Sequence, residues 1–163
     1  MPETTITAEP GSSLITMTRE FDAPRELVFR AHVDPDLLVR WLGPRELTMT
    51  VDRYEARNGG TYRYVHHDAQ GGQYGFRGVF HGDPTPDGLV QTFEFEGEPG
   101  HVSLNIYTFT QRGDRTELRT VASFASVADR DAIIDADMSR GVRDGHDRLA
   151  ELLTALLAGA QAG

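Results

Sequence analysis

The sequence predicts an α+β domain: a curved antiparallel sheet of six to seven strands wrapped around one long C-terminal helix, with two short helices between the first and second strands. Three observations predict it. Turn-forming residues punctuate residues 47–124 about every ten positions, which is hairpin spacing. Apolar residues near the C-terminus step by three and four, the period of one buried helix face. Between the first strand and the meander, two prolines each follow an acidic residue closely, as at helix starts.

Residues 14–22, LITMTREFD, alternate as a strand with Ile15, Met17 and Phe21 as its apolar set. Asp22 and Pro24 then open a short helix through RELVFRAH, whose apolar face is Leu27, Val28 and Ala31. Asp34 and Pro35 repeat the pattern for a second, with Leu38, Trp41 and Leu42 as its stripe, and Gly43-Pro44 ends it. About six strands follow, separated at Asn58-Gly59-Gly60, Gly71-Gly72, Pro84–Gly88, Gly97–Gly100 and Arg112-Gly113-Asp114. Ile134, Met138, Gly141, Gly145, Leu149, Leu152 and Leu156 then mark one helix over about 129–158. Its first two turns carry Asp129, Asp131, Asp135 and Asp137, which complement the helix dipole. Residues 1–13 read as a flexible N-terminal tail, 14–158 as the domain and 159–163 as a C-terminal tail.

The 163 residues, 39% hydrophobic and 25% charged, suit a single domain with a core of its own. No apolar run reaches the ~18 residues of a spanning helix, and residues 1–13 lack the basic and apolar blocks of a secretory signal. A cytoplasmic setting without membrane insertion is the expectation. The net charge of -9, with no local Lys/Arg cluster, repels phosphates and argues against nucleic acid as a partner. The absence of cysteine removes disulfides, thiolate metal sites and cysteine nucleophiles.

Period-two alternation puts Tyr62, Tyr64 and His66 on one strand face, and Tyr74, Phe76, Gly78 and Phe80 on one face of the next. Phe93 and Phe95 continue this set, as do Asn105, Tyr107 and Phe109, so most aromatic residues converge on one hollow. Any one of them could be plain core. Tyrosines and a histidine buried together each need a hydrogen-bond partner, however, so a pocket accounts for them better than a dry core does. Asn105 and Thr120 add polar candidates, and Trp41, Met138 and Val142 approach the same space from the helices. His66 is expected to face inward and to pair with a tyrosine hydroxyl, Asn105 or a ligand.

His66, His67 and Asp68 suggest metal or catalytic chemistry. Adjacent strand residues point to opposite faces, so both rings cannot reach one ion without a bulge, and neither a metal nor a cofactor is expected. His81, His101 and His146 are isolated in sequence and read as exposed or locally bonded. Gly-rich phosphate loops, G-x-S-x-G and H-E-x-x-H do not occur. Gly141 and Gly145, one turn apart, serve either close packing or room above the aromatic floor.

The runs FDAPRELVFRAHVDPDLLVRWLGP, RNGGTYRYV, GVFHG and DGLVQTFEFEG resemble the START-like (SRPBCC) helix-grip superfamily, and within it the branch named after activators of the heat shock protein 90 ATPase. The resemblance covers about residues 14–157 and implies a cavity between sheet and C-terminal helix. Relatives in this branch usually carry a Gly-Trp pair in that helix. The matching positions are Gly141 and Val142, which replaces an indole by a small side chain.

Three functions follow in order. The first is binding of a small hydrophobic or aromatic molecule, lipids included. The second is a polyketide cyclase/aromatase-like enzyme using the same cavity, with His66, a tyrosine and Asn105 as proton-transfer and carbonyl-polarising groups. The third is the co-chaperone interaction implied by the branch name, acting through the outer surface. A homodimer is compatible with each.

Overall fold

The computed structural model describes residues 2–162. Strand β1 (Thr5–Thr7) and strand β2 (Leu14–Phe21) lead into helices α1 (Arg25–Val33) and α2 (Pro35–Leu38). Six strands follow, β3 (Thr48–Tyr54), β4 (Thr61–His67), β5 (Gln73–Val79), β6 (Gly88–Phe95), β7 (Ser103–Arg112) and β8 (Arg115–Ser123), then helices α3 (Val127–Asp135) and α4 (Met138–Ala162). All strand pairs are antiparallel in one eight-stranded sheet ordered β1-β2-β8-β7-β6-β5-β4-β3.

The six-strand meander has its turns where the glycine and proline clusters put them, and Asp34 caps α2 by accepting from the Asp36 N–H at 3.0 Å. The sheet holds one strand more than six to seven, because Thr5–Thr7, in the segment expected to be a flexible tail, pairs with Thr16–Thr18. The edge is stitched down by side chains. Arg19, inward-facing and only 5% exposed, donates to Asp147 Oδ1 at 2.8 Å and to Thr4 Oγ1 at 3.4 Å. Thr4 Oγ1 also lies 2.8 Å from His146 Nδ1, and Arg143 donates to the Thr4 carbonyl. The three-residue strand is thereby tied to α4 as well as to β2.

The sheet curves where the β5–β6 ladder thins. Ladder pairs hold at Phe76↔Phe95 and Arg77↔Glu94 and resume as an isolated bridge at Phe80↔Gln91. In the gap, the Val79 N–H donates to Thr92 Oγ1 (2.9 Å), and the Thr92 carbonyl accepts from the Tyr62 hydroxyl (2.5 Å). Only glycine allows this at position 78: a Cβ there would lie 2.0 Å from Thr92 O and 2.6 Å from Tyr62 Oη. The glycine lets a side-chain hydroxyl stand in for a ladder bond, so the sheet can bend without leaving that carbonyl unsatisfied.

The C-terminal helix is broken, against the expectation of one helix over 129–158. Ser126 caps α3 by accepting from the Asp129 N–H, and the helix stops at Ala136. Asp137 takes φ 61°, a left-handed conformation that aspartate tolerates better than most L-residues. The break rotates the apolar stripe, so Ile134 points outward while Ile133 packs inside. Helix α4 then runs through Ala162, past the expected boundary at 158.

Two apolar clusters result. The larger joins Phe21, Val28, Trp41, Tyr62, Phe80, Phe109 and Leu118 to Leu149, Leu152 and Leu153 of α4. The smaller holds Ile15, Met17 and Ala122 beneath Met138 and Val142. Each fully buried large side chain contributes about 1.5–3 kcal/mol. The α4 stretch spanning the two clusters is where Gly141 and Gly145 fall.

Candidate functional site

Between the clusters lies a cavity of about 800 Å³, walled by the concave face of β4–β8, by α4 and by the loop after α2. It is built from alternation. In β4, Tyr62, Tyr64 and His66 all face in and are buried, and they sit opposite Gly78, Phe76 and Tyr74 of β5. Aromatic rings run along this wall. Tyr64 lies 6.0 Å from Tyr62 at 15°, Phe76 lies 5.4 Å from Tyr64 at 28°, and Phe93 lies 5.3 Å from Phe76 at 22°. Phe95 extends the row at 5.2 Å from Phe76.

Thirteen of the expected residues line the cavity: Trp41, Tyr62, Tyr64, His66, Tyr74, Phe76, Phe93, Phe95, Asn105, Tyr107, Thr120, Met138 and Val142. Two do not. Phe80 and Phe109 follow the same alternation but lie farther along their strands, where α1 and α4 close over the sheet, so they are core. Tyr74 borders the cavity yet is 37% exposed, its hydroxyl donating to Asp68 Oδ2 at 2.8 Å, which places it at the mouth.

His66 faces inward, but the expected pairing with a tyrosine or Asn105 is not made. Its Nε2 is buried without a hydrogen-bond partner among the described residues. The ring is pressed under Gly43, where a Cβ would fall 2.5 Å from Cε1; Gly43 also has φ +98°, so glycine is required there twice over. Burial, with the nearby positive Arg148 and the neighbouring His67, lowers the His66 pKa to about 4. His67 points to the other face and lies 2.9 Å from Thr50 Oγ1.

Sequence reasoning missed His32 and Gln91 on the cavity wall and misplaced His146. His32 lies four residues after Val28, on the inward stripe of α1, and its Nδ1 bonds the Val28 carbonyl at 2.8 Å. A carbonyl only accepts, so Nδ1 carries the proton and Nε2, also unpartnered, is a bare acceptor. Burial lowers the His32 pKa to about 4 and that of His146 to about 3. His146 is not exposed: it sits three residues before Leu149 on the buried face of α4, bonded to Thr4. Both positions are legible in the helical period, because a buried helix face holds polar side chains at the same three-and-four spacing as apolar ones.

A family model described as activator of Hsp90 ATPase homolog 1-like protein matches residues 22–154. The chain belongs to this family. No curated protein matches it significantly. Among solved structures, a protein from Rhodobacter sphaeroides is 27% identical with a TM-score of 0.86, covering 94% of this chain and 99% of its own. One from Mycobacterium smegmatis is 26% identical, with a TM-score of 0.83 and coverage of 95% and 99%. The AHSA1 protein from Silicibacter pomeroyi, at 19% identity and TM-score 0.70 over 87% and 98%, shares the fold. Ligand-binding and co-chaperone-like roles both fit this helix-grip family, and no described helix is long and apolar enough to cross a membrane.

Proposed function

We propose that the protein binds a small hydrophobic or aromatic molecule in the cavity between the sheet and α4, in a cytoplasmic setting. The observation that carries this reading is the row of aromatic rings from Tyr62 to Phe95, stacked from Tyr62 through Phe93, facing about 800 Å³ of space. A dry core would have closed that space, because unfilled volume forfeits dispersion contacts and costs stability. Ring faces offer offset stacking to a flat ligand, and the polar groups among them offer orientation.

Titration with an environment-sensitive naphthalene dye tests the reading. Fluorescence should rise and saturate near one site per chain, with dissociation constants on the order of micromolar. Native mass spectrometry should show the same one-to-one stoichiometry. No saturable binding by the folded protein would overturn the proposal.

A further inference from the structure

The tyrosine hydroxyls of the cavity point to the chemistry of its ligand. Tyr54 donates to the His32 carbonyl at 2.6 Å, Tyr62 to the Thr92 carbonyl at 2.5 Å and Tyr74 to Asp68 at 2.8 Å. Tyr107 accepts from Gln91 Nε2 at 3.4 Å. Tyr64 lines the cavity, is only 6% exposed, and has no hydrogen-bond partner for its hydroxyl among the described residues. Its ring is held between Tyr62 and Phe76 and against His66 at 5.4 Å, so the hydroxyl cannot swing away to find one. The hydroxyl is not among the fully enclosed unpaired atoms, so it opens onto the cavity and is free to donate to what occupies it.

A phenol oxygen shares a lone pair with its ring and so donates more readily than it accepts. Asn105 is engaged within the fold, its Oδ1 accepting from Ser103 Oγ at 3.1 Å and its side chain bonding the Tyr107 hydroxyl. Charge at the rim selects further. Glu46, Asp68, Glu98 and Asp137 border the cavity, and Arg140, the one Lys/Arg side chain lining it among the described residues, is paired to Glu46 and Asp137. An anion would meet net negative charge there with no free cation to hold it.

We propose that the ligand is a neutral apolar molecule carrying a carbonyl oxygen, and that the Tyr64 hydroxyl donates its hydrogen bond to that oxygen. This rests on the binding reading above and names the ligand class it leaves open.

Three shape-matched probes test it: 2-acetonaphthone, 2-isopropylnaphthalene and 2-naphthoate. The ketone should bind the wild-type protein about three- to tenfold more tightly than the hydrocarbon, the range expected of one net hydrogen bond. The carboxylate should bind most weakly. Tyr64→Phe should erase the preference, bringing the ketone's affinity down to that of the hydrocarbon measured on the same variant. In the infrared, the carbonyl stretch of bound ketone should move to lower frequency in the wild type and return in the variant. The melting temperature of Tyr64→Phe should be unchanged or raised, because the hydroxyl removed has no partner among the described residues; a merely structural hydroxyl would lower it. Ketone and hydrocarbon binding equally well would overturn the carbonyl inference while the binding reading stands, and so would an unaltered preference in the variant. Tightest binding by the carboxylate would overturn the neutrality of the ligand. Failure of ketone and hydrocarbon alike to saturate would overturn both the inference and the binding reading.

Discussion

At the scale of single residues, Val142 is the informative departure from the relatives' pattern. It lines the cavity beside Met138, over Met17 and Ala122. Val142→Trp places a large ring where there is space to take it, so we expect little or no loss of stability together with weaker dye binding. Thermal melting and dye titration on the same variant check this. A loss of about 1–3 kcal/mol would mean overpacking, and so a filled site. The residue scale is also where reading from sequence was most uneven. Alternation identified the inward aromatic residues of β4 to β7, because a pleated strand leaves each side chain only two directions. It could not separate Phe76 from Phe80, or Tyr107 from Phe109, since position along a strand decides whether a helix closes above it.

At the scale of elements, Gly141 and Gly145, two of the three glycines of α4, have different jobs. A Cβ on Gly141 would meet Pro44 Cδ at 3.6 Å, an ordinary contact. A Cβ on Gly145 would come within 3.3 Å of Gly43 N and 3.5 Å of Trp41 O, backbone atoms that cannot swing aside. Gly141→Ala should therefore stabilise by up to about 1 kcal/mol through helix propensity. Gly145→Ala should lose part or all of that gain, and urea denaturation of the pair should rank Gly141→Ala the more stable. The contact is with the Gly43-Pro44 loop, where the sequence suggested the sheet or open space. The helix break was likewise hidden, because the three-and-four spacing continues across Ala136 and Asp137 and the acidic residues there suit a helix start equally well. The meander was legible because its tight turns carry glycine, proline or asparagine, whose local chemistry does not depend on the rest of the fold.

At the scale of the whole molecule, burial of neutral imidazoles ties stability to pH. His32 has its pKa lowered from 6.5 to about 4 by desolvation, and His146 to about 3 by desolvation with the charges of its neighbours. The folded state thus binds fewer protons than the unfolded chain between these values and 6.5, so stability rises with pH across that window. The contribution is fully present above about 6.5 and is lost as pH falls toward 4, with His32 alone accounting for about 3 kcal/mol. The urea midpoint should fall steeply between pH 6.5 and 5, and His32→Phe should flatten that slope. An unchanged midpoint over this range would mean that these rings are solvated.

The sheet order gives the edge at β1 a meaning for how the chain comes to be folded. Strands β3 to β8 each pair with a sequence neighbour, so they can assemble hairpin by hairpin as they leave the ribosome. Strand β2 pairs with β1 and β8, and the side chains that fasten Thr4 come from Arg19, Arg143 and His146. Strands β1 and β2, which precede the meander in the chain, must wait for β8 and α4 before they are secured. Until then the β8 edge of the nascent sheet is open, and the alternating segment Leu14–Phe21 is the piece of this same chain shaped to cover it.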